Sequence, residues 1–228
     1  MVREISGKVL SISVHAEAVY TLSAMPVIIC MLRGVNVGGR NIIKMDALKA
    51  LCVSLKLKDP QTYVQSGNVI FSSQEKDLAK LAKRIQDAIE KNFQFRPGIM
   101  LRTAADLREV VKNNPFAKRS GIEPGKLLVN FLASDPGDDA REKALAIKVG
   151  PEEMHLMGRE AYIYFPNGQG RSKFPWPAIE RALGNSGTGR NWNSVTKMLE
   201  IAEKMELPDE AASSHGVASR VARAVRHK

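Results

Sequence analysis

The chain has 228 residues, 44% of them hydrophobic and 25% charged, with a formal net charge of +10. This balance argues against a disordered polyelectrolyte, and no run reaches the roughly 18 uninterrupted apolar residues of a membrane span. Two cysteines in 228 residues make no disulfide framework; Cys30 lies in an apolar run and Cys52 on an apolar stripe, as reduced core thiols of a cytosolic (cytoplasmic) protein would.

Residues 1–24 are formally neutral and residues 208–228 carry +2, so the stretch between them carries +8. A basic folded region favours polyanions or phosphorylated ligands; the plainer reading is a solvated basic surface. His15 and Glu17 interrupt the apolar part of residues 1–24, which spoils a signal-peptide outline, and Met25-Pro26 resembles a natural start. Residues 1–24 are therefore expected to be a disordered extension and 208–228 a disordered basic tail, neither contributing to the core.

From Met25 the elements follow in order. Val27 to Arg33 is apolar on both faces and reads as a central strand. Leu48, Leu51, Cys52 and Leu55 keep helical spacing, which predicts a helix over 46–56. Thr62 to Gln65 and Asn68 to Phe71, separated by Ser66-Gly67, predict a hairpin. Ser72 to Glu75 has capping-box spacing before a helix with the stripe Leu78, Leu81, Ala82, Ile85, Ala88 and Ile89. Ile99 to Arg102 is a strand, and Thr103 with Asp106 caps a helix carrying Leu107, Val110 and Val111. The first six elements have the split β-α-β order of a ferredoxin-like plait.

Residues 116–125 read as a linker, which makes 25–115 a first subdomain and 126–207 a second α+β subdomain with a C-terminal helix. The second contains a strand over 126–133, a helix over 138–147, a hairpin across Gly158-Arg159 and a short helix over 175–183. Trp192, Val195, Leu199, Ala202 and Met205 keep helical spacing to about 205, with Arg190, Ser194 and Lys197 on another face near the helix start. This second β-α-β-β-α order partly repeats the first.

Three stretches stand out chemically. They are Arg33-Gly34-Val35-Asn36-Val37-Gly38-Gly39, Thr62 through Val69 around Gln65-Ser66-Gly67-Asn68, and Thr188 through Val195 around Arg190-Asn191. Together they resemble the signatures of the uncharacterised family known as domain of unknown function 1697, over roughly residues 25–207. The resemblance implies an α+β protein of two ferredoxin-like subdomains and implies no reaction. Ser194 stands where that family usually has Thr, which keeps the hydroxyl.

The first stretch is no P-loop, because Arg40-Asn41 stands where Lys-Ser/Thr would bind phosphate and Mg²⁺. Its glycines can still form an anion nest or, more plainly, a tight turn. Likewise Gln65 to Asn68 reads as a polar hairpin tip or a plain turn, and Arg190, Asn191, Asn193 and Lys197 as an anion site or helix capping. No histidine lies in the three motifs, which argues against a nucleophilic triad. No acidic residue lies there either, which argues against a metal-dependent hydrolase. Neither a metal nor a cofactor is implied. Tyr63 and Phe71 lie on strands but lack an RNA-binding signature around them.

The candidate ligand-binding residues are Arg33, Gly34, Asn36, Gly38, Gly39, Gln65, Ser66, Asn68, Arg190, Asn191 and Lys197. Arg33, Asn36, Gln65, Asn68, Arg190 and Asn191 are expected to converge on one cleft holding an anion, either a nucleotide or a nucleic-acid phosphate. The rival is an enzyme acting on a small phosphorylated or carboxylated substrate. No membrane partner is expected, and no pattern fixes an oligomeric state or names catalytic residues.

Overall fold

A computed structural model describes residues 25–207; the expectations for 1–24 and 208–228 lie outside the described residues. The chain is α+β, with two four-stranded antiparallel sheets and six α-helices among the described residues. The first half runs β1 (Val27–Leu32), α1 (Met45–Ser54), β2 (Lys58–Tyr63), β3 (Asn68–Ser72), α2 (Leu78–Phe93), β4 (Ile99–Thr103) and α3 (Ala104–Lys112). The second runs β5 (Leu127–Leu132), α4 (Asp138–Leu145), β6 (Glu153–Met157), β7 (Glu160–Tyr164), α5 (Trp176–Leu183), β8 (Gly187–Asn191) and α6 (Trp192–Glu206). The sheet orders are β2-β3-β1-β4 and β6-β7-β5-β8, so each half arranges its own four strands in the same way.

Alternation along the central strands divides the core into layers. Ile28, Cys30 and Leu32 of β1 face Leu48, Leu51 and Cys52 of α1 and Leu81, Ile85 and Ile89 of α2. Val27, Ile29 and Met31 face the other way, into a core shared with Val129 and Phe131 of β5, Leu107 and Val110 of α3, and Val195 and Met198 of α6. Leu128 and Leu132 of β5 look outward, toward Ile179 and Leu183 of α5. Buried on both faces, β1 and β5 have no polar side to offer, which explains their nearly continuous apolar sequence. The shared middle layer fuses the halves, and Phe116, just after α3, is buried within it.

The helix stripes fall where spacing places them. Leu81 is 1% exposed, so Leu81→Ala should cost about 2–5 kcal/mol in a urea unfolding experiment, and a near-zero cost would be incompatible with this packing. Thr103 and Asp106 form the expected capping box, each side chain bonding the other's backbone N–H at 3.0 and 2.9 Å.

Three expectations need correction. The hairpin forms, but β2 runs Lys58–Tyr63 and Tyr63 pairs with Asn68, so the turn takes in residues 64–67 rather than Ser66-Gly67 alone. The helix after β3 starts at Leu78, not near Ser72: Asp77 caps it by accepting from the Lys80 N–H at 3.0 Å, while Ser73 and Glu75 shape the preceding loop. The second half also contains a fourth strand that spacing does not reveal. Residues 187–191 form β8 beside β5, so Arg190 lies inside a strand rather than at a helix start.

Candidate functional site

A cleft of about 600 Å³ opens on the outward side of the second sheet, beside the loop after β1, within the size range of small-molecule sites. Its floor is the outward face of β5 and β8, with Leu128, Asn130, Gly187 and Gly189. Trp176, Pro177 and Glu180 of α5 form one wall, and the loop after β1, with Arg33, Gly34, Val35 and Val37, forms the other.

Of the candidate residues, Arg33, Gly34, Ser66, Arg190 and Asn191 line this cleft. Arg33 crosses it, its Nη2 donating to Glu180 Oε1 at 2.8 Å and Oε2 at 3.0 Å. The Arg33 side chain is 40% exposed, so this pair is worth at most about 1 kcal/mol and can open. Gly34 has φ +67°, a left-handed turn with no neighbour near a would-be Cβ.

Asn36 and Gln65 do not join the cleft; they border a separate depression beside Ile43 and Asp46. The Asn36 amide donates to the Ile43 and Gln65 carbonyls at 3.0 and 2.9 Å, and its Oδ1 accepts from the Ile43 N–H at 2.9 Å. It pins the loop to the hairpin tip and has little left for a ligand. Gly38 and Gly39 form the exposed loop tip, with φ +59° and +72°. Lys197 lies elsewhere on α6, paired with Glu200 at 2.8 Å. Asn191 caps α6, accepting from the Asn193 N–H at 3.0 Å while donating to the Gly125 carbonyl at 2.7 Å.

Arg190 is 6% exposed and spends every guanidinium donor inside the protein. Nε donates to Asn68 Oδ1 at 2.5 Å, Nη1 to Thr188 Oγ1 at 2.7 Å and the Gly189 carbonyl at 2.9 Å, and Nη2 to the Leu32 and Ser66 carbonyls at 2.8 and 3.0 Å. Asn68 is fully buried behind it, donating to the Tyr63 carbonyl and to Ser66 Oγ. All the acceptors are neutral. Burial pushes the Arg190 pKa down to about 10, with the neighbouring Cys30 opposing, so the group still carries its charge at pH 7.

The other half repeats this arrangement in reverse. Arg102, at the same place in β4 as Arg190 in β8, reaches into the second half. Its Nε donates to Glu160 Oε1 at 2.7 Å, Nη2 to the Leu132 and Arg159 carbonyls at 2.9 and 3.3 Å, and Nη1 to the Leu101 carbonyl at 2.9 Å. Leu132 ends β5 as Leu32 ends β1, and Glu160 opens β7 as Asn68 opens β3. The clamps are thus related by an internal two-fold pattern with one difference: Glu160 neutralises Arg102, whereas Asn68 leaves the Arg190 charge uncompensated.

Spacing alone did not bring Asn130, Trp176, Glu180 or Gly187 into the site. Asn130 is 3% exposed, and its amide makes no hydrogen bond within the described residues although it borders the cleft. Its polar atoms are not fully enclosed, so the amide's free donors and acceptor open onto the cleft. The one sequence signal was a lone amide in the apolar run Leu127–Leu132.

Thiol chemistry has no support here. Burial pushes the Cys52 thiol up to about 12 and raises Cys30 further, with Cys52 itself adding to that rise. Both are free and buried. Labelling with a thiol reagent at pH 8 should modify neither thiol until the chain unfolds, and fast modification of the folded protein would contradict that burial. Among the described residues no group of three His, Cys, Asp or Glu side chains is placed to hold a metal ion. None of the described helices is long and apolar enough to cross a membrane.

Comparison with known proteins agrees with the motif resemblance. No curated protein sequence matches the chain. The structure resembles that of conserved bacterial protein SP0830 from Streptococcus pneumoniae, with TM-score 0.63 and 19% identity over 79% of this chain and 99% of that one. At that identity the likeness concerns the fold alone. The family model described as Protein of unknown function (DUF1697) matches residues 25–162, which hold the first two motifs, and the chain belongs to that family.

Proposed function

We infer that the chain is a binding protein whose ligand is a small anion, most simply a nucleotide or another phosphate ester, held in the cleft between α5 and the loop after β1. The observation that carries this reading is the contrast between the two arginine clamps. Arg102 has its carboxylate in Glu160, while Arg190, at the cleft, has the neutral Asn68. Because Arg33 is already balanced by Glu180, the cleft keeps the net positive charge of Arg190. An anion entering it gains Coulomb energy from a cation partly shielded from water. Arg190 has no donor left to give, so direct contact falls to Arg33, whose Nε and Nη1 make no hydrogen bond within the described residues, and to Ser66.

The reading extends to the architecture and the setting. Each half is taken as a ferredoxin-like subdomain, 25–115 and 126–207 with 116–125 between them, in keeping with the shared strand order. A cytosolic setting suits two unpaired cysteines.

The test is thermal protection of the full chain by inorganic phosphate, ribose 5-phosphate and AMP. Stabilisation should grow as RT ln(1 + [L]/Kd), reaching about 2.7 kcal/mol at a hundredfold excess over Kd. Arg33→Ala should weaken binding about tenfold, and Glu180→Gln, which frees the Arg33 fork, should strengthen it severalfold. Absence of protection by all three ligands at ~10 mM would overturn the reading. A single-stranded oligonucleotide binding far more tightly than AMP would make the ligand nucleic acid, and turnover of the ester would favour the enzyme reading, for which Glu180 is the carboxylate at hand.

A further inference from the structure

The cleft floor carries a feature that anion binding does not use. Asn130, central in β5, projects to the outward face between Leu128 and Leu132. Its strand partner across the ladder is Gly189, and Gly187 lies on the same face of β8. A Cβ at Gly187 would come within 2.5 Å of the Asn130 Nδ2 and 2.8 Å of its Oδ1, and one at Gly189 within 3.1 Å of Leu128. Both glycines therefore leave the room that these two side chains fill. The φ of neither glycine is in the left-handed region, so turn geometry does not explain their choice. The result is a mostly buried residue packed against bare backbone, its amide bonded to nothing within the described residues and facing the cleft. The half-buried indole of Trp176 lines the same cleft and packs against Phe174 at 4.7 Å between ring centroids.

A primary amide presents one acceptor and two donors in one plane. Its complement is a planar group with a donor and an acceptor side by side, and nucleobase edges have that pattern. An aromatic wall adds the apolar contact that a base needs. We propose that Asn130 is a specificity-determining residue that reads the base of a nucleoside or nucleotide, with the base lying over the cleft floor beside Trp176. This deepens the anion reading by naming the ligand class, and it rests on that reading only for the phosphate. Arg33, across the cleft on the opposite wall, would meet the phosphate while the floor holds the base.

Isothermal titration of the full chain with adenosine, guanosine, cytidine, uridine and ribose tests the base subsite without any phosphate. At least one nucleoside should bind about tenfold or more tightly than ribose, and Asn130→Leu should erase that preference. Asn130→Asp keeps acceptors and loses donors, so it should reorder the four bases even if the leucine variant folds poorly. Equal binding of all five compounds, or a base preference that survives Asn130→Leu, would overturn the proposal. The same series as 5′-phosphates, with ribose 5-phosphate as control, separates the two readings. A base preference with no gain from phosphate would sink the anion site and keep the base site. Ribose 5-phosphate binding as well as every nucleotide would do the reverse, and no binding by any compound would remove both.

Discussion

Arg190→Ala should destabilise the protein by about 3–5 kcal/mol in urea unfolding, a large share of the roughly 5–15 kcal/mol that holds a domain folded. The guanidinium ties three parts together at one point: the end of β1, the β2–β3 hairpin tip, and β8. Truncation leaves Asn68 Oδ1 and the Leu32 carbonyl in a buried place with a donor missing, and unmade buried bonds cost more than made ones gain. The relief of removing a buried, uncompensated charge offsets part of this, which keeps the figure below the sum of five bonds. Arg190→Lys should recover less than half, because one ammonium cannot span acceptors set out for a planar fork. A cost under about 1 kcal/mol for the alanine variant would show that the clamp is incidental. For the same reason Arg190→Ala cannot serve as a clean binding probe, and Arg33 and Asn130 carry that part.

This residue also shows where the sequence was legible and where it was not. Most local signals held: the existence of the β2–β3 hairpin, the α2 stripe and the Thr103–Asp106 box all depend on residues a few positions apart, whereas the hairpin's turn length and the Ser72–Glu75 cap did not hold. Gly187-Thr188-Gly189-Arg190-Asn191 carries no such signal, since two glycines lower strand propensity. It becomes a strand because β5 lies beside it and because Asn130 and Leu128 occupy the space that larger residues would need. That cause is about sixty residues away in sequence and invisible to periodicity. Reading Arg190 near a helix start led to an exposed cation, whereas one strand position places it in the interior. Asn36 failed to join the cleft for a related reason. An Asn with φ +55° beside a carbonyl it can reach is a loop fastener, and only the fold shows that the carbonyl belongs to Gln65.

The mirror clamp should respond differently, because it contains a carboxylate. Arg102→Met at pH 7 should cost about 3–5 kcal/mol, since it strands Glu160, 13% exposed at its side chain, without its cation. It also removes a guanidinium lying 5.6 Å over the Phe131 ring. Burial lowers the Arg102 pKa while Glu160 raises it, as expected of an ion pair desolvated together. Adding Glu160→Leu to Arg102→Met should restore part of the loss, because two apolar chains of similar volume avoid the desolvation that the pair bears. No such rescue is open to Arg190, whose partners are mostly backbone carbonyls that no substitution removes. A double-mutant cycle measured by urea unfolding reads the difference directly. A coupling of at least 1.5 kcal/mol between positions 102 and 160 is expected, by about the strength of a charged hydrogen bond. A coupling near zero would mean that Glu160 is not the countercharge, and the contrast with Asn68 on which the anion reading rests would then lose its basis.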